Sequence, residues 1–124
     1  MNDQATILLL HGSKDPAWLE PFVELRNRAA AASPGKTIVT ACLQFGSPTL
    51  NEAVGALVAG GFRNFVVVPV FISTKGHVAK DVPLLVNSAR EEFPDTEIRV
   101  SPAIGELPAV QQAMIEGIAE ITMN

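Results

Sequence analysis

The chain has 124 residues, 48% hydrophobic and 18% charged, so it is long enough for one domain with a single core and too apolar to stay disordered. Its formal net charge of -4, without a Lys- or Arg-rich segment, excludes a typical nucleic-acid-binding protein. A single cysteine, Cys42, excludes an internal disulfide, and its apolar neighbours predict a buried core thiol. The N-terminal segment MNDQATILLL has neither a basic leader nor an apolar run long enough for a membrane span. We therefore expect one cytoplasmic domain covering residues 1–124.

Four short segments predict strands, at residues 5–10, 37–43, 64–72 and 97–100. The first three are nearly continuous apolar or β-branched runs, and the fourth is shorter and alternates. Continuous apolar runs are typical of strands that are covered on both faces, as in a parallel sheet.

Segments with helical apolar spacing alternate with these strands. Each presents one apolar stripe with polar residues opposite, which is typical of a helix that covers a core. The stripes are Trp18, Phe22, Leu25, Ala29 and Ala32; then Leu50, Val54, Leu57 and Val58; then Val82, Leu85, Val86, Ala89 and Phe93; and finally Val110, Met114, Ile118 and Ile121.

Proline occurs near the start of every predicted helix, where its missing N–H costs nothing. Asp15, Ser47 and Asp81 precede the first three of these prolines and are candidate N-caps. Pro-Gly, Gly-Gly and Pro follow the first three helices as stop signals. The resulting β-α-β-α-β-α-β-α order predicts an α/β fold, a three-layer αβα sandwich around a four-stranded parallel sheet of the flavodoxin-like type.

Both histidines fall on the edge where such sheets bind ligands, beyond the carboxyl ends of the strands. His11 follows the first predicted strand and His77 follows the third. These strands are neighbours in a flavodoxin-like order, so we expect the two side chains to face each other across a cleft. Each histidine taken singly is better explained by hydrogen bonds to nearby backbone, whereas the convergence of both favours a functional site.

Imidazole accepts protons near neutral pH and is the commonest metal ligand in proteins. Two histidines without a certain carboxylate supply fewer ligands than the four of a structural zinc site. The pattern therefore indicates either an ion held briefly with open coordination positions or acid–base chemistry. Asp81 follows His77 by four residues and is interpreted both as the N-cap of the third helix and as a carboxylate that orients His77.

The loops Gly-Ser-Lys at 12–14 and Thr-Lys-Gly at 74–76 place small residues and cations before predicted helices. Such loops favour anions through free N–H groups and the helix dipole, although an ordinary turn with solvated lysines explains any single residue better. The sequence contains neither a Walker-type lysine loop nor a G-x-G-x-x-G fingerprint, so we expect no nucleotide or other organic cofactor.

Three stretches, LLLHGSKDP, GGFRNFVVVPVFISTKGHVAKDVP and GELPAV, resemble the class II tetrapyrrole chelatases of the CbiX type, the sirohydrochlorin chelatases. The resemblance covers nearly the whole chain. Its specific part is the paired signature H-G-S after the first strand and G-H-V-x-x-D-[IV]-P after the third. The length is similar to that of the short, single-domain form of the family, which implies a homodimer.

The resemblance implies an enzyme that inserts a divalent ion, Co²⁺, Fe²⁺ or Ni²⁺, into sirohydrochlorin for cobalamin or siroheme-type cofactors. His11 and His77 would bind the ion and accept the pyrrole protons, with the metal as co-substrate. The substrate carries many carboxylates. Its expected binding residues are Ser13, Lys14, Gln44, Ser73, Thr74, Lys75 and Gly76.

One position departs from the family pattern. Many relatives carry a glutamate in F-L-E-x-x-x-P-x-L, where this chain reads CLQFGSPTL with Gln44. Glutamine neither takes a proton nor supplies charge, and Glu106 on the loop after the fourth strand is a candidate replacement. Two alternatives to a chelatase stay open: a carrier of metal or tetrapyrrole that kept both histidines, and a flavodoxin-like regulator that binds an anion.

Overall fold

The computed structural model describes residues 3–73 and 75–123, with the side chains of residues 77–79 outside the description. Within these ranges, four strands alternate with four α-helices, and short 3-10 helices precede the first and last of them. The strands are β1 (Gln4–Leu10), β2 (Thr37–Cys42), β3 (Asn64–Pro69) and β4 (Glu97–Val100). The helices are α1 (Glu20–Ala32), α2 (Leu50–Ala59), α3 (His77–Glu92) and α4 (Pro108–Thr122), and the 3-10 helices are Pro16–Leu19 and Ile104–Glu106.

The strands form one parallel sheet in the order β2-β1-β3-β4. In its register Ile7 of β1 lies between Val39 of β2 and Val67 of β3. The predicted α/β class, parallel sheet and adjacency of the first and third strands are confirmed. β3 ends at Pro69, earlier than predicted, although the amide of Val70 still donates to the Leu9 carbonyl at 2.9 Å.

One face of the sheet carries the densest part of the core. Alternate strand residues such as Ile7, Leu9 and Val67 are completely buried there, beneath Val54 of α2 and Val86 of α3. Full burial of each such side chain contributes about 1.5–3 kcal/mol. These contacts fix the sheet, and with it the positions of the loops at its carboxyl edge.

The opposite face of the sheet is less completely covered. Thr6, Leu8 and Val68 on this face are half-buried rather than buried. Helix α1 runs beside β2, whereas α4 has no buried residue among its described positions. The described helices include none that is long and apolar enough to cross a bilayer.

The capping predictions fare differently from one another. Asp15 is confirmed as an N-cap, because its Oδ1 accepts the Ala17 amide at 3.0 Å. Ser47 is wrong as the cap of α2. Thr49 takes that role, since its hydroxyl accepts the Glu52 amide at 3.1 Å and Glu52 Oε1 accepts the Thr49 amide at 2.8 Å. This reciprocal arrangement satisfies two free amides of the helix start.

Asp81 is also wrong as an N-cap. Helix α3 already begins at His77, and Gly76 is its N-cap with a left-handed φ of 99°. Pro83 therefore lies inside the helix rather than at its start. A proline within the first two turns removes one helical hydrogen bond, which the remaining turns of the helix tolerate.

Candidate functional site

Four loops meet at the carboxyl edge of the sheet, and hydrogen bonds join them in pairs. The Gln44 amide, after β2, donates to the His11 carbonyl, after β1, at 3.2 Å. The Gly105 amide, after β4, donates to the Phe71 carbonyl, after β3, at 2.9 Å. The edge is therefore a connected platform, and the loops after β1 and β3 are neighbours on it, as the sequence predicted.

His11 is exposed at the end of β1, and its contacts with the described residues are weak. Its Nδ1 lies 3.4 Å from the Gly12 carbonyl oxygen, at the long limit of a hydrogen bond. Its ring meets the half-buried ring of Phe71 edge-on, with centroids 6.3 Å apart and an interplanar angle of 75°. Phe71 thus supports the imidazole from the neighbouring strand end without occupying a ring nitrogen.

Gly12 allows the loops after β1 and β2 to approach each other. Its φ of 96° is left-handed, and a Cβ built there would overlap the carbonyl oxygen of Gln44. Only glycine meets both conditions, since other residues pay a steric penalty at this φ. Gly12 therefore has a packing role, while anion binding by the Gly-Ser-Lys loop stays a prediction. Ser13 is the next residue, and its hydroxyl accepts the Asp15 amide at 3.1 Å.

The loop after β2 presents Gln44 and Phe45 to solvent. Phe45 has a φ of 54° and is 56% exposed. The Lys14 ammonium lies 4.9 Å from the centroid of its ring. The position of Phe45 at the strand end, directly before a glycine, predicts an aromatic side chain that lines a pocket wall at this edge.

Cys42 is the last residue of β2 and lies at the base of this loop. It is buried, as predicted, and its amide donates to the Pro48 carbonyl at 2.8 Å. Burial raises the pKa of the Cys42 thiol above its ordinary value, so the thiol stays protonated at neutral pH. The side chain is a packing group, and a redox role is not favoured.

The loop after β3 leads directly into helix α3. The Ser73 hydroxyl accepts the Lys75 amide at 3.0 Å, and Gly76 then turns the chain into the helix. Thr74 and the side chain of His77 lie outside the described residues. His77 is the first residue of α3, so its backbone lies at the carboxyl edge of the sheet, where His11 also lies. The expectation that the two imidazoles face each other is untested.

An open cleft of about 410 Å³ lies between the end of β2 and helix α3. Gln44, after β2, and the exposed Asp81, in α3, both line it, so the cleft carries an amide and a carboxylate. The remaining lining residues are Leu43, Leu84, Leu85 and Ser88.

Glu106 lies at the other end of the platform. Its Oε1 accepts the Ala103 amide at 3.1 Å, which holds the short 3-10 helix after β4. Strands β1 and β3 separate β4 from β2. The neighbouring Gly105 amide donates to the Phe71 carbonyl, so Glu106 lies beside the loop after β3, and its role as a replacement for the family's glutamate stays a prediction.

Charged and metal-binding groups are sparse at this edge. Within the described ranges, no three His, Cys, Asp or Glu side chains converge closely enough to hold an ion. The described part of the site therefore offers His11 as a single exposed imidazole, with Lys14 on the same loop and Asp81 in the first turns of α3.

Comparison with known proteins identifies the family. The CbiX family model matches residues 5–121. A sirohydrochlorin cobaltochelatase of Saccharolobus islandicus strain Y.G.57.14 is 28% identical over 120 residues, which are 92% of each chain. The same enzyme from strain L.S.2.15 is 34% identical over 86 residues, covering 69% of this chain and 66% of the relative.

Solved structures agree with this match. The crystal structure of a CbiX protein from Marinobacter aquaeolei VT8 superposes with a TM-score of 0.84 at 30% identity, over 97% of this chain and 95% of that one. SirB from Bacillus subtilis subspecies spizizenii, a sirohydrochlorin chelatase in complex with cobalt, has the same fold, with a TM-score of 0.81 at 23% identity. The match covers 95% of this chain but 50% of SirB. Fold and platform thus define a chelatase-type α/β protein. The chain belongs to the CbiX family, as its sequence motifs predicted.

Proposed function

We propose that this protein inserts a divalent ion, Co²⁺, Fe²⁺ or Ni²⁺, into sirohydrochlorin. The observation that carries the proposal is the exposed, weakly held imidazole of His11 at the end of β1, beside the loop that leads to His77. The two curated relatives described above are named sirohydrochlorin cobaltochelatases, which favours Co²⁺ as the first ion to test.

Metal insertion needs groups that bind loosely and accept protons. The pyrrole N–H protons of the macrocycle must leave while the ion exchanges water for the ring nitrogens. Neutral imidazole is a ligand for these borderline ions and a base near neutral pH. We assign both tasks to His11 and His77. A site with few ligands is suited to delivery, because an ion held by a complete ligand set would not be released to the macrocycle.

The same platform offers groups for the carboxylates on the rim of the substrate. Lys14 and Lys75 are exposed cations on the loops after β1 and β3. Gly76 begins α3, whose first amides and positive dipole end also favour an anion. We propose that these groups orient the macrocycle over the histidines, together with Ser13, Gln44, Ser73 and Thr74.

Asp81 is the carboxylate that we assign to the cleft beside Gln44. Asp81 does not cap α3, and its exposed side chain lines the cleft. We propose that it orients His77 one helical turn away, because residues four apart on a helix are neighbours. Glu106 is assigned to support the loop after β4.

The deciding experiment is an anaerobic absorbance assay with purified protein, excess sirohydrochlorin and Co²⁺ or Fe²⁺, compared with the uncatalysed rate. We expect insertion to continue beyond one equivalent per subunit. The amide at Gln44 favours a second candidate, a carrier of metal or tetrapyrrole that does not turn over. A spectral change that stops at one equivalent would support the carrier and contradict the enzyme.

We also propose that the working form is a homodimer of single-domain chains. Helix α4 exposes Ile115, Ile118 and Ile121 at 58%, 62% and 74%. The sheet face that carries Thr6 and Leu8 is incompletely covered. One chain thus supplies an uncovered amphipathic helix and an incompletely covered sheet face. A second copy of the chain can cover both surfaces, because α4 of each chain can pack on the sheet face of the other, as in a domain-swapped dimer.

A further inference from the structure

Phe45 combines two features that are unfavourable for a phenylalanine. Its backbone is left-handed, with a φ of 54°, a conformation that bulky residues seldom adopt. Its ring is 56% exposed, although burial is the usual fate of an aromatic side chain. Glycine or asparagine would fit the same turn with less strain. The turn itself therefore does not account for the aromatic ring at this position.

The loop holds Phe45 in a defined place. The amide of the preceding residue, Gln44, donates to the His11 carbonyl at 3.2 Å, and Gly12 lies against the Gln44 carbonyl. Cys42 and Pro48 close the base of the loop with a hydrogen bond of 2.8 Å. The Phe45 ring therefore extends from a loop whose backbone is hydrogen-bonded to His11, the candidate metal ligand.

Lys14 gives this ring a cationic neighbour. Its ammonium lies 4.9 Å from the ring centroid, within the range of a cation–π contact. In the described part of the chain the ammonium makes no ion pair with a carboxylate. An exposed cation–π contact is weak, so a carboxylate from a ligand can replace it. The pair thus offers an apolar aromatic surface and a positive charge side by side.

We propose that Phe45 and Lys14 form a subsite for a flat, conjugated polyanion, in which the Phe45 ring packs against the macrocycle and the Lys14 ammonium binds a carboxylate on its rim. This inference rests on the proposed function, because sirohydrochlorin has that chemistry: an apolar conjugated plane surrounded by carboxylates. Phe45 is a positioning residue. Its task is to hold the macrocycle near His11, and it exchanges no proton.

The test is a titration of metal-free sirohydrochlorin, followed by the absorbance of the tetrapyrrole, with no metal added. Phe45→Asn removes the ring but keeps a residue that tolerates a left-handed φ, so the fold should survive. We expect its Kd to rise about tenfold, the size of one lost aromatic contact. Phe45→Trp keeps an aromatic surface and should bind within about twofold of the unchanged protein. Leu25→Ala, at an exposed position of α1, is the control and should bind normally.

Lys14→Gln tests the charged half of the subsite. Its affinity should fall and should depend less on ionic strength than that of the unchanged protein, since one exposed ion pair is lost. With Co²⁺ added, Phe45→Asn should raise KM with little change in kcat, which a general loss of structure would not do.

Two outcomes would overturn the subsite. If Phe45→Asn retains its circular dichroism spectrum and binds sirohydrochlorin as tightly as the unchanged protein, the subsite is wrong while the proposed function stands. If the unchanged protein neither binds sirohydrochlorin nor inserts metal, the proposed function fails and the subsite fails with it.

Discussion

His11 is exposed, and among the described residues it is held only by a 3.4 Å contact to Gly12 and an edge-on contact to Phe71. Its removal should therefore affect chemistry and leave stability nearly unchanged. We expect His11→Ala to lower kcat for metal insertion at least about a hundredfold, the lower range for loss of a general base. The initial rate of insertion and the thermal melting curve check this together. A variant with normal turnover would contradict a role for this imidazole in the reaction.

Gln44 carries an amide where many relatives carry a carboxylate. It shares its cleft with Asp81, so Gln44→Glu would place two carboxylates around the cleft. We expect this variant to raise kcat about tenfold with Co²⁺, because a second carboxylate adds a proton acceptor and attracts the ion. Initial rates at saturating sirohydrochlorin measure the effect. An unchanged or lower rate would mean that the site works without this carboxylate.

Cys42 gives a prediction that depends on pH. Burial raises the pKa of its thiol, so the folded protein keeps the protonated form at pH values where the unfolded chain ionises. The stabilising contribution is present below the unfolded pKa and is lost as the pH rises through the folded pKa. We expect alkylation by iodoacetamide at pH 8 to be slow in the native protein and rapid in urea. Equal rates in both conditions would contradict the buried thiol.

Between elements, Gly12 determines how closely the loops after β1 and β2 approach. Gly12→Ala should destabilise the protein by more than about 3 kcal/mol, because both the left-handed φ and the overlap with the Gln44 carbonyl penalise a methyl group. Gly35→Ala is the matched control. Gly35 also has a left-handed φ, of 82°, but a Cβ there would meet nothing within 4 Å. We expect it to cost about 1 kcal/mol, and urea unfolding compares the two. Equal costs would mean that the approach of the loops is not constrained.

The alternation of elements and the ligand edge could be predicted because they depend on local patterns. Apolar runs in the sequence predicted β1 and β3. A parallel sheet in which these strands are neighbours then predicted that His11 lies beside the loop after β3. Helix starts were less predictable, since proline marks a first turn only when no better cap precedes it. Gly76 precedes Pro83 and starts α3 earlier.

Contacts between loops could not be predicted. The approach of Gly12 to Gln44 and the stacking of Lys14 on Phe45 join residues that are distant in sequence. The sequence pattern places Gly12 and Lys14 in a turn that favours anions, but it does not indicate which residues of other loops they contact. Their partners depend on the length and conformation of two separate loops, which hydrophobic periodicity does not encode.

At the scale of the whole molecule, α4 leaves an apolar surface exposed to solvent. The helix follows β4, yet none of its described residues is buried. Its isoleucines form part of a continuous stripe with Met114, which is 36% exposed. An apolar stripe of this kind in a chain that stays monomeric would be an aggregation hazard. The proposed packing of α4 onto the incompletely covered sheet face of a second copy would remove the hazard from both chains.

Ile118→Glu tests this assembly. A carboxylate in an apolar interface loses its hydration without a partner, so the dimer Kd should rise at least about a hundredfold. Light scattering after size-exclusion chromatography should give twice the chain mass for the unchanged protein and a single chain mass for the variant. Leu84→Glu is the control, because Leu84 is 69% exposed on α3, which packs on the opposite sheet face. It should remain dimeric. A monomeric unchanged protein, or an Ile118→Glu variant that stays dimeric, would contradict the pairing of α4 with a second copy.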